Sequence, residues 1–107
     1  MATFSSSTLL EACILQTLVK KDAYGYALSQ EIENVMSISE STLYPVLRRL
    51  QKDGFLQTYD QPYNGRNRRY YKITQKGNDV LALHKKSWEA YKQKLDQILG
   101  GISNDKK

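Results

Sequence analysis

Four consecutive polar residues stand directly after the dipeptide Asn64-Gly65, and three of them are arginines: Arg66, Asn67, Arg68 and Arg69. Guanidinium groups bind phosphate oxygens through paired N–H donors. Residues 48–76 hold eight Lys or Arg against two acidic residues, although the net charge of the whole chain is only +5. Because a run so poor in apolar residues fits badly in a core, we predict contact with a polyanion such as nucleic acid. A solvated basic loop is the alternative.

A second group of polar side chains lies in a segment that begins at Ser39, a good helix N-cap. The apolar residues of this segment recur at helical spacing: Leu43, Val46, Leu47 and Leu50. The other faces of the helix are left to polar residues, and four of them are candidate contacts to DNA bases or phosphates: Ser41, Thr42, Tyr44 and Arg48. Successive helical residues lie about 100° apart, so Arg48 and Arg49 cannot both be ideally aimed at DNA.

Pro45 lies inside this third segment. Proline is comfortable only in the first turn of a helix. Either the helix starts near residues 41–44, or it tolerates one lost backbone hydrogen bond.

The sequence lacks the residue combinations that enzymatic catalysis requires. The chain has one histidine, one cysteine, no paired-carboxylate motif and no glycine-rich phosphate loop. We therefore predict no catalytic residues, no metal site and no cofactor. Cys13 lies in an apolar run and is expected to be an inert core residue. No stretch approaches the roughly 20 apolar residues of a membrane helix, and residues 1–7 do not resemble a signal peptide, so we expect a cytoplasmic protein with no membrane partner.

The elements that position these residues follow from hydrophobic periodicity. Helices are predicted over residues 8–19, from Tyr24 onward, from Ser39 onward, and from Gln75 to about Gly100. Gly25 is expected either near the entry turn of the second helix or in tight contact with a neighbour. Strands are predicted over residues 55–60 and 68–74, and Asn64-Gly65 between them is a hairpin turn signal.

The last helix carries apolar or aromatic residues, with His84 among them, at alternating intervals of three and four: Leu81, His84, Trp88, Tyr91, Leu95, Ile98 and Ile102. Such spacing makes a narrow seam of the kind that pairs helices. A helix of this length reaches roughly 35 to 40 Å, further than so small a domain covers by itself. We therefore predict a homodimer whose interface contains five of these residues: Leu81, Trp88, Tyr91, Leu95 and Ile98.

The order of three helices, a hairpin and a last helix predicts a mostly α fold with a small β-hairpin, the winged helix-turn-helix. Its third helix would enter the major groove of DNA, and its hairpin is the wing. We divide the chain into a DNA-binding domain (1–75), a dimerisation helix (76–102) and a disordered tail (103–107).

The most distinctive motifs of the chain span nearly its whole length. They are Tyr24-Gly25-Tyr26, the stretch from Ser39 to Leu50, Asp53-Gly54-Phe55, and the stretch from Gly65 to Gly77. In these motifs the chain resembles the PadR family of bacterial regulators, and in length it is similar to the short members with one dimerisation helix. The resemblance also accounts for Pro45, since the family commonly carries a proline after this Leu-Tyr pair.

The resemblance implies a small-molecule site as well. Trp88 falls where short, multidrug-sensing members place an aromatic residue facing its dimer mate across a hydrophobic pore. Trp88, Tyr91 and His84 are therefore candidate ligand-binding residues, with packing of the dimer interface as the alternative role of Trp88.

The residues predict a regulator that binds a pseudo-palindromic double-stranded operator. The resemblance implies a repressor that is released by a small aromatic or hydrophobic ligand. The alternative is a winged-helix interaction or RNA-binding module without an operator. We expect no exposed aromatic stacking platform away from the core, which weakens RNA binding.

Overall fold

The computed structural model describes residues 6–100, without the side chain of Ser6. Ile102 and the tail predicted over residues 103–107 lie outside this range. Among the described residues, four helices and three strands follow one another as α1 (Ser6–Lys20), β1 (Ala23–Tyr24), α2 (Gly25–Met36), α3 (Glu40–Lys52), β2 (Leu56–Tyr63), β3 (Arg66–Ile73) and α4 (Gln75–Ile98). The fold is mostly helical with one small antiparallel sheet, as predicted. Within residues 6–100, no helix combines the length and the apolar character of a membrane span.

The sheet has one strand that periodicity did not predict. Tyr24 was expected to start the second helix, but it pairs with Tyr70 of β3, and Ala23 pairs with Tyr71. The strand order is β1-β3-β2, so β1 covers the free edge of β3. Two residues are too short for a pattern of alternation, and the partner that pairs with them is about fifty positions away in the chain.

The hairpin is longer than the sequence indicated. Residues 61–67 were expected to form a loop, whereas the ladder continues to the pairs Pro62↔Asn67 and Tyr63↔Arg66. Asn64 (φ 52°) and Gly65 (φ 78°) alone make the turn. Positive φ at both central residues is the mark of a type I′ turn, which matches the twist of the flanking strands. Because β2 is an edge strand, it accommodates Pro62.

The position of Pro45 resolves the choice left open by the sequence. Helix α3 begins at Glu40, with Ser39 in the N-cap position, so Pro45 lies beyond its first turn. The helix therefore tolerates a missing backbone bond to the carbonyl of Ser41. Both Ser41 and Pro45 are exposed, so the missing bond lies on the solvent side of α3 and not in the core.

The core lies where α1, α2 and α3 meet the inner face of the sheet and the first turns of α4. Its buried apolar residues are Leu10, Ile14, Leu15, Leu18, Ala23, Leu28, Ile32, Leu43, Leu47, Leu50, Leu56, Tyr71 and Leu81. The three leucines predicted to line α3 are buried, and Val46 packs beside them.

Leu81 corrects one prediction. It was expected in the dimer seam, but its side chain is only 4% exposed within the single chain. The cause is the position of Leu81 near the start of α4, where the helix still packs on α1. A dimer seam can begin only beyond this residue.

Candidate nucleic-acid interface

The exposed face of α3 carries three of the predicted contacts. Ser41, Thr42 and Arg48 are all exposed. The hydroxyl of Ser39 lies 3.0 Å from the Ser41 hydroxyl and 3.3 Å from that of Thr42. The N-terminal turn of α3 therefore presents a row of hydroxyl groups to solvent, and such groups can donate to or accept from both bases and phosphates.

Tyr44 occupies a different position from the one predicted. Its ring is partly buried and packs against the core. A Cβ added to Gly25 would lie 3.2 Å from the Tyr44 hydroxyl, so α2 and α3 approach closely at this point. Burial, then Glu40, then Tyr71 raise the pKa of the Tyr44 hydroxyl. Tyr44 thus packs α3 against α2, and the tight contact expected at Gly25 is the contact with this ring.

The two adjacent arginines of α3 have different surroundings, as helical geometry requires. Arg48 is exposed. Arg49 Nη1 lies 2.6 Å from Glu11 Oε2 on α1. Arg48 is therefore the freer of the two to bind a phosphate or a base, although the Arg49 side chain is also 45% exposed.

The wing presents Arg66, Asn67 and Arg69 to solvent. Arg69 stands directly opposite Asp60 on β2, and its Nε lies 3.8 Å from the carboxylate. Since both side chains are more than half exposed, this pair is weak and leaves the guanidinium free to bind a phosphate.

Arg68 is held in a different way from its neighbours. Its guanidinium carbon lies 4.1 Å from the ring centroid of Tyr24 and 3.6 Å from that of Tyr63. The ring centroids of Tyr24 and Tyr70 lie 5.8 Å apart, and the ring of Tyr59 stacks on that of Tyr70 with centroids 5.6 Å apart. We call the side chains of Tyr24, Tyr59, Tyr63, Arg68 and Tyr70 the tyrosine ladder. Arg68 is a structural member of the wing as well as a charge on it.

The ladder ends in a hydrogen bond that fixes the base of the wing. The Tyr59 hydroxyl donates to Asp22 Oδ2 at 2.6 Å. This bond, followed by smaller effects of desolvation and of nearby Asp22 and Tyr70, raises the pKa of Tyr59. The sequence expectation missed the ladder, although the Asn64-Gly65 turn fixes a register that places Tyr63, Arg66 and Arg68 on one face.

Aromatic rings are exposed outside the core, contrary to the expectation that no stacking platform would be. Tyr26, Tyr59 and Tyr63 are 54%, 37% and 48% exposed. The faces of the ladder rings are partly covered by one another and by Arg68, so they form a weaker stacking platform than their exposure suggests.

An apolar groove of about 390 Å³ lies between α1, α2 and α4. Two of the three predicted ligand-binding residues line it, His84 and Trp88. Tyr91 does not line it but packs beside Trp88, with ring centroids 6.3 Å apart. Cys13 also lines the groove, and burial raises the pKa of its thiol. This residue is thus half-buried in the groove wall and not fully enclosed in the core.

The other predicted seam residues lie on the part of α4 that leaves the core. Between Ala82 and Ile98, all described, no side chain is buried. Leu95 is half-buried, while Tyr91 and Ile98 are 39% and 78% exposed. An apolar stripe therefore continues along α4 beyond the body of the chain.

Comparison with known proteins agrees with this architecture. The family model of the transcriptional regulator PadR-like family matches residues 14–83. A transcriptional regulator of Mycobacterium tuberculosis is 33% identical over 92 residues, which cover 85% of this chain and 83% of that protein.

Two crystal structures are similar over most of their length. That of a Streptococcus mutans protein is 44% identical with a TM-score of 0.83, covering 98% of this chain and 100% of the other. That of a PadR-like transcriptional regulator of Bacillus cereus is 33% identical with a TM-score of 0.78, covering 85% and 91%.

The winged-helix fold and these relatives define a DNA-binding transcription regulator, a class of proteins that are not enzymes. The chain belongs to the PadR-like family.

Proposed function

We propose that this chain is a dimeric repressor that binds a pseudo-palindromic operator with α3 and the wing. The observation that carries the proposal is the presentation of Ser41, Thr42 and Arg48 on the solvent face of α3, while the leucines of the same helix are buried. Arg66, Asn67 and Arg69 add an exposed polar tip on the wing, where they suit phosphate or minor-groove contacts. In this proposal residues 1–75 form the DNA-binding domain.

Dimerisation would use the stripe of Trp88, Tyr91, Leu95 and Ile98 on residues 76–102. Helix α4 has 24 residues and is about 36 Å long, and the described chain extends 56 Å in its longest direction but only 27 and 23 Å in the others. A second copy of the same stripe supplies the apolar cover that the single chain lacks. A two-fold dimer would place its recognition helices roughly 34 Å apart on DNA.

We further propose that a flat aromatic ligand binds in the groove beside Trp88 and releases the operator. The groove volume of about 390 Å³ lies in the size range of small-molecule sites, roughly 300 to 1,000 Å³. Because the groove lies between α1 and α4, an occupant would change the angle of α4 and with it the spacing of the two wings.

The first test is fluorescence anisotropy of the protein on its own upstream promoter duplex and on a scrambled duplex, across a salt series. Tight binding to the promoter alone at moderate salt is the expected result. Equal and steeply salt-dependent binding to both duplexes would favour an interaction or RNA-binding module instead.

Riboflavin, a planar aromatic compound, tests the ligand site. We expect its fluorescence to be quenched by the protein and less so by Trp88→Ala, with Leu83→Ala as the control because Leu83 is exposed and does not line the groove. Equal quenching by both variants would count against binding beside Trp88.

A further inference from the structure

Glu11 joins two helices that have separate roles in the proposed function. Its Oε2 lies 2.6 Å from Arg49 Nη1 on α3, and its Oε1 lies 3.1 Å from His84 Nε2 on α4. The Glu11 side chain is only 15% exposed, and that of His84 16%. A carboxylate with so little exposure is stabilised by both partners, since a charge partly removed from water is costly without a partner.

The two partners of Glu11 lie at functional positions. Arg49 is adjacent to Arg48, the proposed DNA-contacting arginine of the recognition helix. His84 lines the groove and lies one helical turn before Trp88. A displacement of α4 that moves His84 therefore changes the environment of the same carboxylate that holds Arg49.

We propose that Glu11 is the positioning residue through which α4 and its groove influence the recognition helix, an inference that rests on the proposed function. When His84 is withdrawn, Oε1 loses its partner, and the carboxylate becomes free to bind Arg49 through both oxygens. The guanidinium then changes its geometry, and α3 shifts with it. The path from groove to DNA is His84, Glu11 and Arg49, and it needs no contact between the ligand and α3.

A double-mutant cycle tests this path. Operator dissociation constants are measured by anisotropy for the wild type, His84→Ala, Arg49→Ala and the double variant. We expect the combined effect to depart from the product of the single effects by about threefold or more, because the two residues share one partner. The same cycle in a Glu11→Gln background is expected to become multiplicative, since the neutral amide keeps the shape and loses the charge.

Arg48 supplies the matched control, because it is adjacent on α3 and exposed. The effects of His84→Ala and Arg48→Ala on the operator dissociation constant should multiply. If Arg49→Ala folds poorly, Arg49→Lys takes its place in the cycle. Lysine keeps the positive charge and should preserve part of the coupling. A purely structural role for Glu11 would lower the Tm of the variants and leave the cycles in operator affinity multiplicative.

Three outcomes are distinguishable. Selective operator binding with coupling that disappears in Glu11→Gln supports the proposal. Selective binding with a multiplicative His84 and Arg49 cycle overturns the coupling alone. Equal affinity of the wild type for operator and scrambled duplexes overturns the proposed function and, with it, the coupling.

Discussion

At the scale of single residues, the arginines of this protein differ in role although their types are the same. Arg49 is 45% exposed but paired with Glu11, Arg68 packs against two tyrosine rings, and Arg48, Arg66 and Arg69 are exposed. The environment of each guanidinium decides whether its charge stabilises the fold or remains available to a polyanion. Counting arginines overestimates the DNA-binding surface for this reason.

Replacing Arg66 and Arg69 together by alanine is expected to weaken DNA binding and to flatten its salt dependence. If each arginine neutralises one phosphate, the dimer loses four contacts, and the slope of log K against log salt should fall in magnitude by about 3.6, or about 0.9 for each contact. Anisotropy across a salt series measures this slope. Lys86→Ala with Lys94→Ala removes the same charge from exposed positions on α4 and should change the slope far less. Equal changes in both pairs would show that only net charge matters.

Arg68→Ala tests the structural role of the wing arginine. Exposed cation–π contacts contribute about 0.5 to 1 kcal/mol each, so loss of two should lower the free energy of unfolding by about 1 to 2 kcal/mol. Urea unfolding measures this change. Arg66→Ala is the control on the same strand and face, with an expected change near zero, because its side chain is exposed at the tip. If the two variants are equally stable, the tyrosine ladder does not stabilise the wing.

At the scale of elements, the junction between the sheet and α4 depends on Gly77, which has no side chain. Thr74 caps α4 by accepting from the Gly77 amide at 3.0 Å and donates to the Gly54 carbonyl at 2.7 Å. A Cβ on Gly77 would overlap the carbonyl oxygen of Phe55 and lie 2.8 Å from Ile73 Cγ1. The start of α4 is thereby held directly against the strands of the wing.

Gly77→Ala is expected to destabilise the protein despite the better helix propensity of alanine. Overpacking against backbone costs about 1 to 3 kcal/mol, more than the roughly 1 kcal/mol that alanine contributes in a helix. Thermal or urea unfolding measures the balance. Lys86→Ala, at an exposed position of the same helix, should be nearly neutral. A stabilised Gly77→Ala variant would mean that α4 moves easily away from the hairpin.

At the scale of the whole molecule, α4 is the element that the single chain leaves incomplete. Its first turns complete the core through Leu81, whereas its later turns carry Tyr91 and Ile98 with large exposed fractions. One helix thus serves two cores, one within the chain and one proposed between two chains. The groove with Trp88 lies at the transition between them.

Leu95→Asp is expected to dissociate the proposed dimer, because it places a charge in the seam. Sedimentation velocity measures the change in mass. Lys94→Asp introduces an acid one position away, where the side chain is exposed, and should leave the dimer intact. A dimer that persists with Leu95→Asp would show that the seam is assigned to the wrong face of α4.

Local signals in the sequence determined much of this fold. The leucines of α3, the Asn64-Gly65 turn, the Thr74 cap and the long last helix all follow from periodicity, capping and turn chemistry, which act over a few residues. The exposed candidates Ser41, Thr42, Arg48, Arg66, Asn67 and Arg69 followed from the same patterns.

Only the tertiary structure decided the relations between distant segments. It paired Ala23-Tyr24 with β3, enclosed Arg68 between Tyr24 and Tyr63, and packed Tyr44 against Gly25. It also buried Leu81 and joined Arg49 and His84 through Glu11. Periodicity indicates which face of an element is apolar, but it does not indicate which remote residue will pack against that face. These contacts depend on how the packed elements are oriented, and that orientation is set by the core as a whole.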